Sequence, residues 1–242
     1  MVVEQLSNVL YLTTVSLALL TAVSGLFMLN QLFKNKIKDL FTDKTFFIYF
    51  SLVIGYSLYA LGELTYYLIF TVYDEVPPAS MPDVYWTLGA ATLILSFFAF
   101  AWTFHKMHRE SSKLVMMAVG GVVLFGAVLL YLLQSDLAKL ATSQGHLFVS
   151  FFYPLADCLI ITFGSIIPLY YSKIENFRSS LLMLFITSVG ILIADLLYIS
   201  STAGLEIDAS GILHNIFYSS AYLLAALGFI TMIFSARRKM SA

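Results

Sequence analysis

The run LLMLFITSVGILIADLLYISSTA, residues 181–203, decides the fold class, because it is apolar almost throughout. A helix rises 1.5 Å per residue, so this run can cross a hydrocarbon layer roughly 30 Å thick. Backbone groups in lipid require helices or a closed barrel, and the run lacks the two-residue alternation of a barrel strand. Working outward, we predict seven transmembrane helices at 6–33, 45–73, 83–104, 113–134, 146–171, 181–203 and 212–235.

The composition supports an all-α polytopic membrane protein that forms a single domain over residues 1–242. Hydrophobic residues make up 60% of the chain and charged residues 11%, whereas soluble domains carry about 25% charged residues. The lone Cys158 excludes an internal disulfide. We therefore expect the lipid bilayer as partner, a multi-pass location in the cell membrane, and neither a cofactor nor nucleic acid.

Basic residues mark one side of the predicted bundle. Lys139 alone falls on the other side, and by the positive-inside rule the basic loops are cytoplasmic, with the N-terminus outside and the C-terminus inside. The chain ends shortly after the last span, so any signal is expected to pass to a partner protein. The basic residues on the cytoplasmic side are Lys34, Lys36, Lys38, Lys44, Lys106, Arg109, Lys113, Lys173, Arg178, Arg237, Arg238 and Lys239.

An offset of 132 residues superimposes the second and third helices on the sixth and seventh. This pattern predicts a parallel 3+1+3 repeat, residues 1–104 and 138–235, joined by a linker helix at 113–134. The alternative is that outer loops favour acids and helix ends favour aromatics in any membrane protein. The offset pairs Glu63 with Asp195, Tyr66 with Tyr198, Asp83 with Asn215, and Trp86 with Tyr218.

Three acids lie inside the predicted spans at a similar depth. Glu63 and Asp195 each lie eleven residues before an acid of an outer loop, Asp74 or Glu206, and Asp157 lies eleven residues after His146. Eleven helical residues span about 16 Å. Charged groups at this depth normally face the bundle interior or a wet cavity. Apart from Lys113, the first residue of the fourth span, the spans contain no Lys or Arg, so we expect at least one of the three carboxyls to be protonated.

These acids and nearby aromatic and polar residues predict an outward-facing cavity for a cation, a proton or a small polar molecule. The structural alternative is that protonated acids bond to tyrosines or backbone and only hold helices together. For Asp83 the alternative is that capping of helix 3 alone explains the residue. Pro154 is expected to bend helix 5 beside Asp157. The predicted ligand-binding residues are Glu63, Asp157, Asp195, Tyr66, Tyr198, Asp83, His214, Asn215 and Trp86.

Motifs for catalysis and metal binding are not found in a suitable context. No lysine occurs in 212–234, which argues against a retinal Schiff base. His105 and His108 lie among basic residues, so interfacial solvation explains them better than a metal. We therefore expect no enzyme, with an intramembrane hydrolase that uses His146, His214 and the acids as the alternative.

Three segments carry a family resemblance: PPASMPDVY at 77–85, YPLAD at 153–157, and DLLY at 195–198, which continues through 211–215 to YLLA at 222–225. Together they resemble the seven-helix membrane input regions of prokaryotic diguanylate cyclases and histidine kinases. The resemblance implies a sensor, here without an output domain. Asn215 stands where the family pattern leads us to expect Asp. An acid-dependent role at that position therefore does not carry over to this chain.

The preferred hypothesis is a membrane receptor or sensor that signals through a partner protein or a homo-oligomer. A small transporter of the SWEET type, or a proton-coupled one, is the alternative, because such transporters use a 3+1+3 repeat. A structural subunit of a membrane complex is the third hypothesis, in which the acids pair with another chain.

Overall fold

The computed structural model describes residues 2–34, 36–73, 76–77, 79–135, 144–174, 177–202 and 211–240. Within these ranges the chain is helical, with no strand, so the all-α prediction is confirmed. Lys139, Asp74 and Glu206, which were used to infer orientation and depth, lie outside the described residues, as does the side chain of His146. The long helices are α1 (Val2–Leu32), α2 (Lys44–Tyr73), α3 (Met81–His108), α4 (Ser111–Gln134), α5 (Gln144–Gly164), α6 (Arg178–Thr202) and α7 (Ile212–Met240).

Seven apolar stretches in the described part of the chain are long enough to cross a membrane, as predicted. The fifth, Leu147–Leu169, differs from the expected single helix. α5 ends at Gly164, and a separate short helix covers Ile166–Leu169. Pro168 explains this break, because a proline cannot donate to the carbonyl four residues earlier, here that of Gly164, and its ring clashes with it. Pro154 lies within the continuous part of α5.

Six of the long helices close a ring. Around the ring the order is α1, α2, α3, α5, α6 and α7, and α7 packs back against α1. α4 lies outside this ring and packs mainly on α5. Its C-terminal half also reaches α6, where the Tyr131 hydroxyl meets the Ser200 hydroxyl.

Glycine allows α2 and α3 to approach closely. A Cβ at Gly89 would lie 2.4 Å from Cδ1 of Tyr59, and one at Gly55 would lie 2.6 Å from Cγ of Leu93. The helices are also joined by Ser96, whose hydroxyl donates to the Ile48 carbonyl at 2.8 Å. Helices in lipid are not driven together by the hydrophobic effect. Small residues at such contacts allow the close van der Waals packing that stabilises the pair.

Basic residues of three connecting segments gather at one end of the bundle. Glu110, just before α4, pairs with Lys113 at 3.0 Å and with Lys173 after the short helix. Asp43 accepts the backbone N–H of Thr45 at 3.0 Å and so caps the first turn of α2. Its other oxygen pairs with Lys36 at 2.6 Å.

Candidate functional site: a buried carboxyl cluster

Glu63 is buried in the C-terminal half of α2, 5% exposed. Its Oε1 accepts a hydrogen bond of 3.0 Å from the Tyr222 hydroxyl of α7. The Tyr11 hydroxyl of α1 lies 3.1 Å from the Glu63 backbone oxygen and 3.5 Å from Oε2. The indole nitrogen of Trp86 lies 2.4 Å from the place of a Cβ on the adjacent Gly62, and the indole is a hydrogen-bonding neighbour of the carboxyl. Three helices besides α2 therefore supply donors to one acid.

Asp157 and Asp195 form a carboxyl pair between α5 and α6. The two side chains lie within hydrogen-bonding reach of each other. Asp157 is 2% exposed, and its Oδ2 has no partner among the described residues. Asp195 is half-buried and accepts a hydrogen bond from the Tyr218 hydroxyl. Since two adjacent carboxylates repel each other at low dielectric, the pair is stable when one carboxyl holds a proton and donates it to the other.

The seventh helix links the two parts of the cluster. Tyr218 and Tyr222 lie one turn apart on α7, so both hydroxyls project from one face. The Tyr218 hydroxyl donates to Asp195, and the Tyr222 hydroxyl donates to Glu63. Glu63 is within electrostatic range of Asp195, so the three predicted acids belong to one cluster.

Aromatic side chains cover the acids toward the end of the bundle where α2 ends and α3 begins. Tyr66 lies 5.8 Å from Trp86 and 5.4 Å from Tyr11, measured between ring centroids. The hydroxyls of Tyr66 and Tyr198 are hydrogen-bonding neighbours. Tyr198 is 41% exposed, and its ring meets His214 edge-on at 5.4 Å. These residues form an aromatic rim on this side of the carboxyl cluster.

Two predicted site residues have hydrogen-bond partners that stabilise the fold. Asp83 accepts the Ser80 backbone N–H at 2.8 Å and caps α3, and it also accepts the Tyr153 hydroxyl at 2.9 Å. Asn215 is buried and donates to the Gly211 carbonyl at 2.8 Å, at the start of its own helix. The structure therefore gives capping and helix-end roles to Asp83 and Asn215.

Tyr11 is the residue of the cluster that sequence reasoning missed. Helix 1 contains no acid within its apolar run, so nothing in that run aligned it in depth with Glu63. The aromatic residues Tyr218 and Tyr222 were visible near the same level, but the sequence did not show which acid each one would reach. The only available signal was the i, i+4 spacing of the two tyrosines on one helix face.

The chemistry that this arrangement allows is proton binding and hydrogen bonding. Phenol and indole groups donate to carboxylates, and the acid pair can share a proton. Among the described residues, no three His, Cys, Asp or Glu side chains converge as metal ligands. Comparisons with protein-family models, with characterised proteins and with solved structures found no match for this chain.

Proposed function

We propose that this protein is a membrane receptor that binds a proton from the outer side at the cluster of Glu63, Asp157 and Asp195. The observation that carries the proposal is the Asp157–Asp195 pair, which has no Lys or Arg partner in the described part of the chain. The Lys and Arg residues of the seven apolar stretches all stand within three residues of a stretch end, away from the pair in the sequence. The resemblance of the three sequence segments to sensor input regions favours a receptor that acts through a partner protein.

The proposed response is a change in the packing of α5 against α6. With one shared proton, the carboxyl pair holds the two helices together. Loss of that proton leaves two like charges at low dielectric, and Asp157 Oδ2 has no described donor to offset the repulsion. The half-buried Asp195 gives the proton a route from the aromatic rim. α5 and α6 are joined at the opposite end by the basic segment that contacts Glu110, where a partner could detect the change.

Infrared difference spectra between acid and alkaline pH, recorded on the protein in lipid, test this proposal. We expect a carbonyl band of a neutral carboxylic acid that is lost in both Asp157→Asn and Asp195→Asn. Asp43→Asn is the matched control, because Asp43 lies outside the spans and is paired with Lys36. A band that both cluster variants retain would contradict the shared proton.

We further propose that the two halves of the ring are related by a two-fold axis along the membrane normal, with the N-terminus outside. The ring order supports this, because half a turn carries α1, α2 and α3 onto α5, α6 and α7. Residues related by the 132-residue offset also meet: Tyr56 neighbours Ser188, and Tyr66 neighbours Tyr198. A thermal-stability double-mutant cycle on Tyr66→Phe and Tyr198→Phe should show coupling, and additive effects would count against the contact.

A proton-coupled transporter is the second candidate, favoured by the same two-fold ring order. The two functions separate in liposomes that contain a trapped pH dye. A receptor should leave an imposed pH gradient intact, with or without added sugars. Dissipation of the gradient that Asp195→Asn abolishes would favour the transporter.

A further inference from the structure

α4 and α5 enclose a second feature, remote from the acids. A cavity of about 300 Å³ lies between the N-terminal half of α4 and the C-terminal part of α5, at the lower limit of known ligand sites. We refer to it as the α4–α5 groove. Its lining includes Met116, Met117, Gly120, Thr162, Ser165 and Leu169.

The groove exists because of two adjacent glycines with different surroundings. A Cβ at Gly121 would lie 2.5 Å from Cγ2 of Thr162, so the helices touch at this position. A Cβ at Gly120 would meet nothing within 4 Å. The break in the fifth span at Ser165, caused by Pro168, shapes the opposite wall. One glycine therefore sets the close contact, and the other leaves the open space beside it.

The groove wall suits a hydrocarbon chain. Its two hydroxyls are already occupied, since Thr162 donates to the Cys158 carbonyl at 2.6 Å and Ser165 donates to the Thr162 carbonyl at 2.7 Å. The rest of the wall is carbon, sulfur or glycine backbone. A partner helix is about 10 Å across and would lie over the groove, whereas an acyl chain can enter it.

The positive charge at one end of the groove favours a lipid with an anionic headgroup. Lys113 lies one turn before Met116 and Met117 on α4, and Lys173 lies four residues after Leu169. Both ammonium groups contact the single carboxylate of Glu110, which leaves one net positive charge. The Lys173 side chain is still 41% exposed, so it has donors available for a phosphate. Basic sites between membrane helices bind anionic lipid headgroups.

We propose that the α4–α5 groove binds an acyl chain of an anionic phospholipid, with the lipid phosphate at Lys113 and Lys173. Native mass spectrometry of the full chain, purified in mild detergent with phosphatidylglycerol or phosphatidylcholine of the same acyl chains, is the test. We expect preferential retention of phosphatidylglycerol by about fivefold, the effect of one basic charge at a membrane surface.

Gly120→Leu should fill the groove and abolish retention of phosphatidylglycerol. Gly126→Leu is the matched control, because Gly126 is also a glycine of α4 with nothing within 4 Å but does not line the groove. Lys113→Gln with Lys173→Gln should remove the preference for phosphatidylglycerol over phosphatidylcholine. Glu110→Gln should increase that preference, because it frees both ammonium groups.

Equal retention by Gly120→Leu and Gly126→Leu would overturn the proposal. So would an equal affinity of the unmodified chain for the two lipids. If Gly120→Leu changed the oligomeric state and left lipid retention unaltered, a second copy would be the occupant and the lipid proposal would fail. The lysine and glutamate variants lie outside the groove, so they test the proposal even if Gly120→Leu does not fold.

Discussion

At the scale of the residue, Tyr222 connects the last helix to the acid of the second. Tyr222→Phe removes the hydroxyl that donates to Glu63 and is expected to lower the free energy of unfolding by about 0.6–1.7 kcal/mol, the range for hydrogen bonds between helices in a bilayer. The measurement is thermal or denaturant unfolding in detergent. Tyr49→Phe is the control, because Tyr49 is buried but remote from the acids. Equal losses in the two variants would show that the bond to Glu63 adds nothing.

Asp43 supplies a prediction on pH at the beginning of α2. Its hydrogen bond from Lys36, followed by that from the Phe46 backbone, lowers the pKa of this carboxyl below the ordinary 3.8. A group whose pKa is lowered on folding stabilises the fold above its ordinary pKa, and this contribution is lost as the pH falls through the lower value. The Tm difference between the unmodified chain and Asp43→Asn should therefore shrink from about pH 6 to about pH 3.

A constant Tm difference over that pH interval would contradict the prediction. Lys36→Gln is a useful companion variant, because it removes the largest cause of the shift and leaves the capping oxygen of Asp43 in place. Without Lys36 the pKa of Asp43 is lowered less. The Tm difference between Lys36→Gln and Asp43→Asn should therefore be small at every pH.

At the scale of the element, the contact of α2 with α3 depends on the absence of side chains. Gly89→Ala places a Cβ against the ring of Tyr59, which is itself buried. Overpacking of this kind costs about 1–3 kcal/mol. Gly126→Ala, on the open face of α4, should be neutral or slightly stabilising because alanine reduces the freedom of the unfolded chain. Unfolding of both variants in detergent measures the difference, and equal stability would mean that the helices can separate without loss.

At the scale of the whole molecule, the proposed orientation can be measured by labelling. Cys158 is the single cysteine and is fully buried. In a Cys158→Ser background, Ile37→Cys, 71% exposed at the basic end, should react with a membrane-impermeant maleimide only after the membrane is opened. Met81→Cys, 51% exposed at the other end, should react in intact cells. The reverse pattern would contradict the positive-inside assignment.

The sequence predicted the helices well, because hydrophobic length is a local property. It also identified Glu63, Asp157 and Asp195 as unusual, since the insertion of a carboxyl within an apolar run costs free energy wherever that run packs. The partners of these acids depend on which helices meet, which composition does not encode. Tyr11 was therefore missed; the capping role of Asp83 was visible in the sequence, whereas its bond from Tyr153 and the bond of Asn215 to Gly211 were not.

The contact of α7 with α1 has a consequence for biogenesis. Thr21 donates to the Tyr222 carbonyl at 2.7 Å, and the hydroxyls of Thr14 and Ser219 meet at 2.8 Å, so these partners are synthesised some two hundred residues apart. Until the last helix leaves the ribosome, Glu63 lacks Tyr222 and the flank of α1 that packs on α7 faces lipid or chaperone. Truncated or stalled chains therefore display an acid that lacks its α7 donor within the bilayer, a mark by which membrane proteases could distinguish unfinished molecules from complete ones.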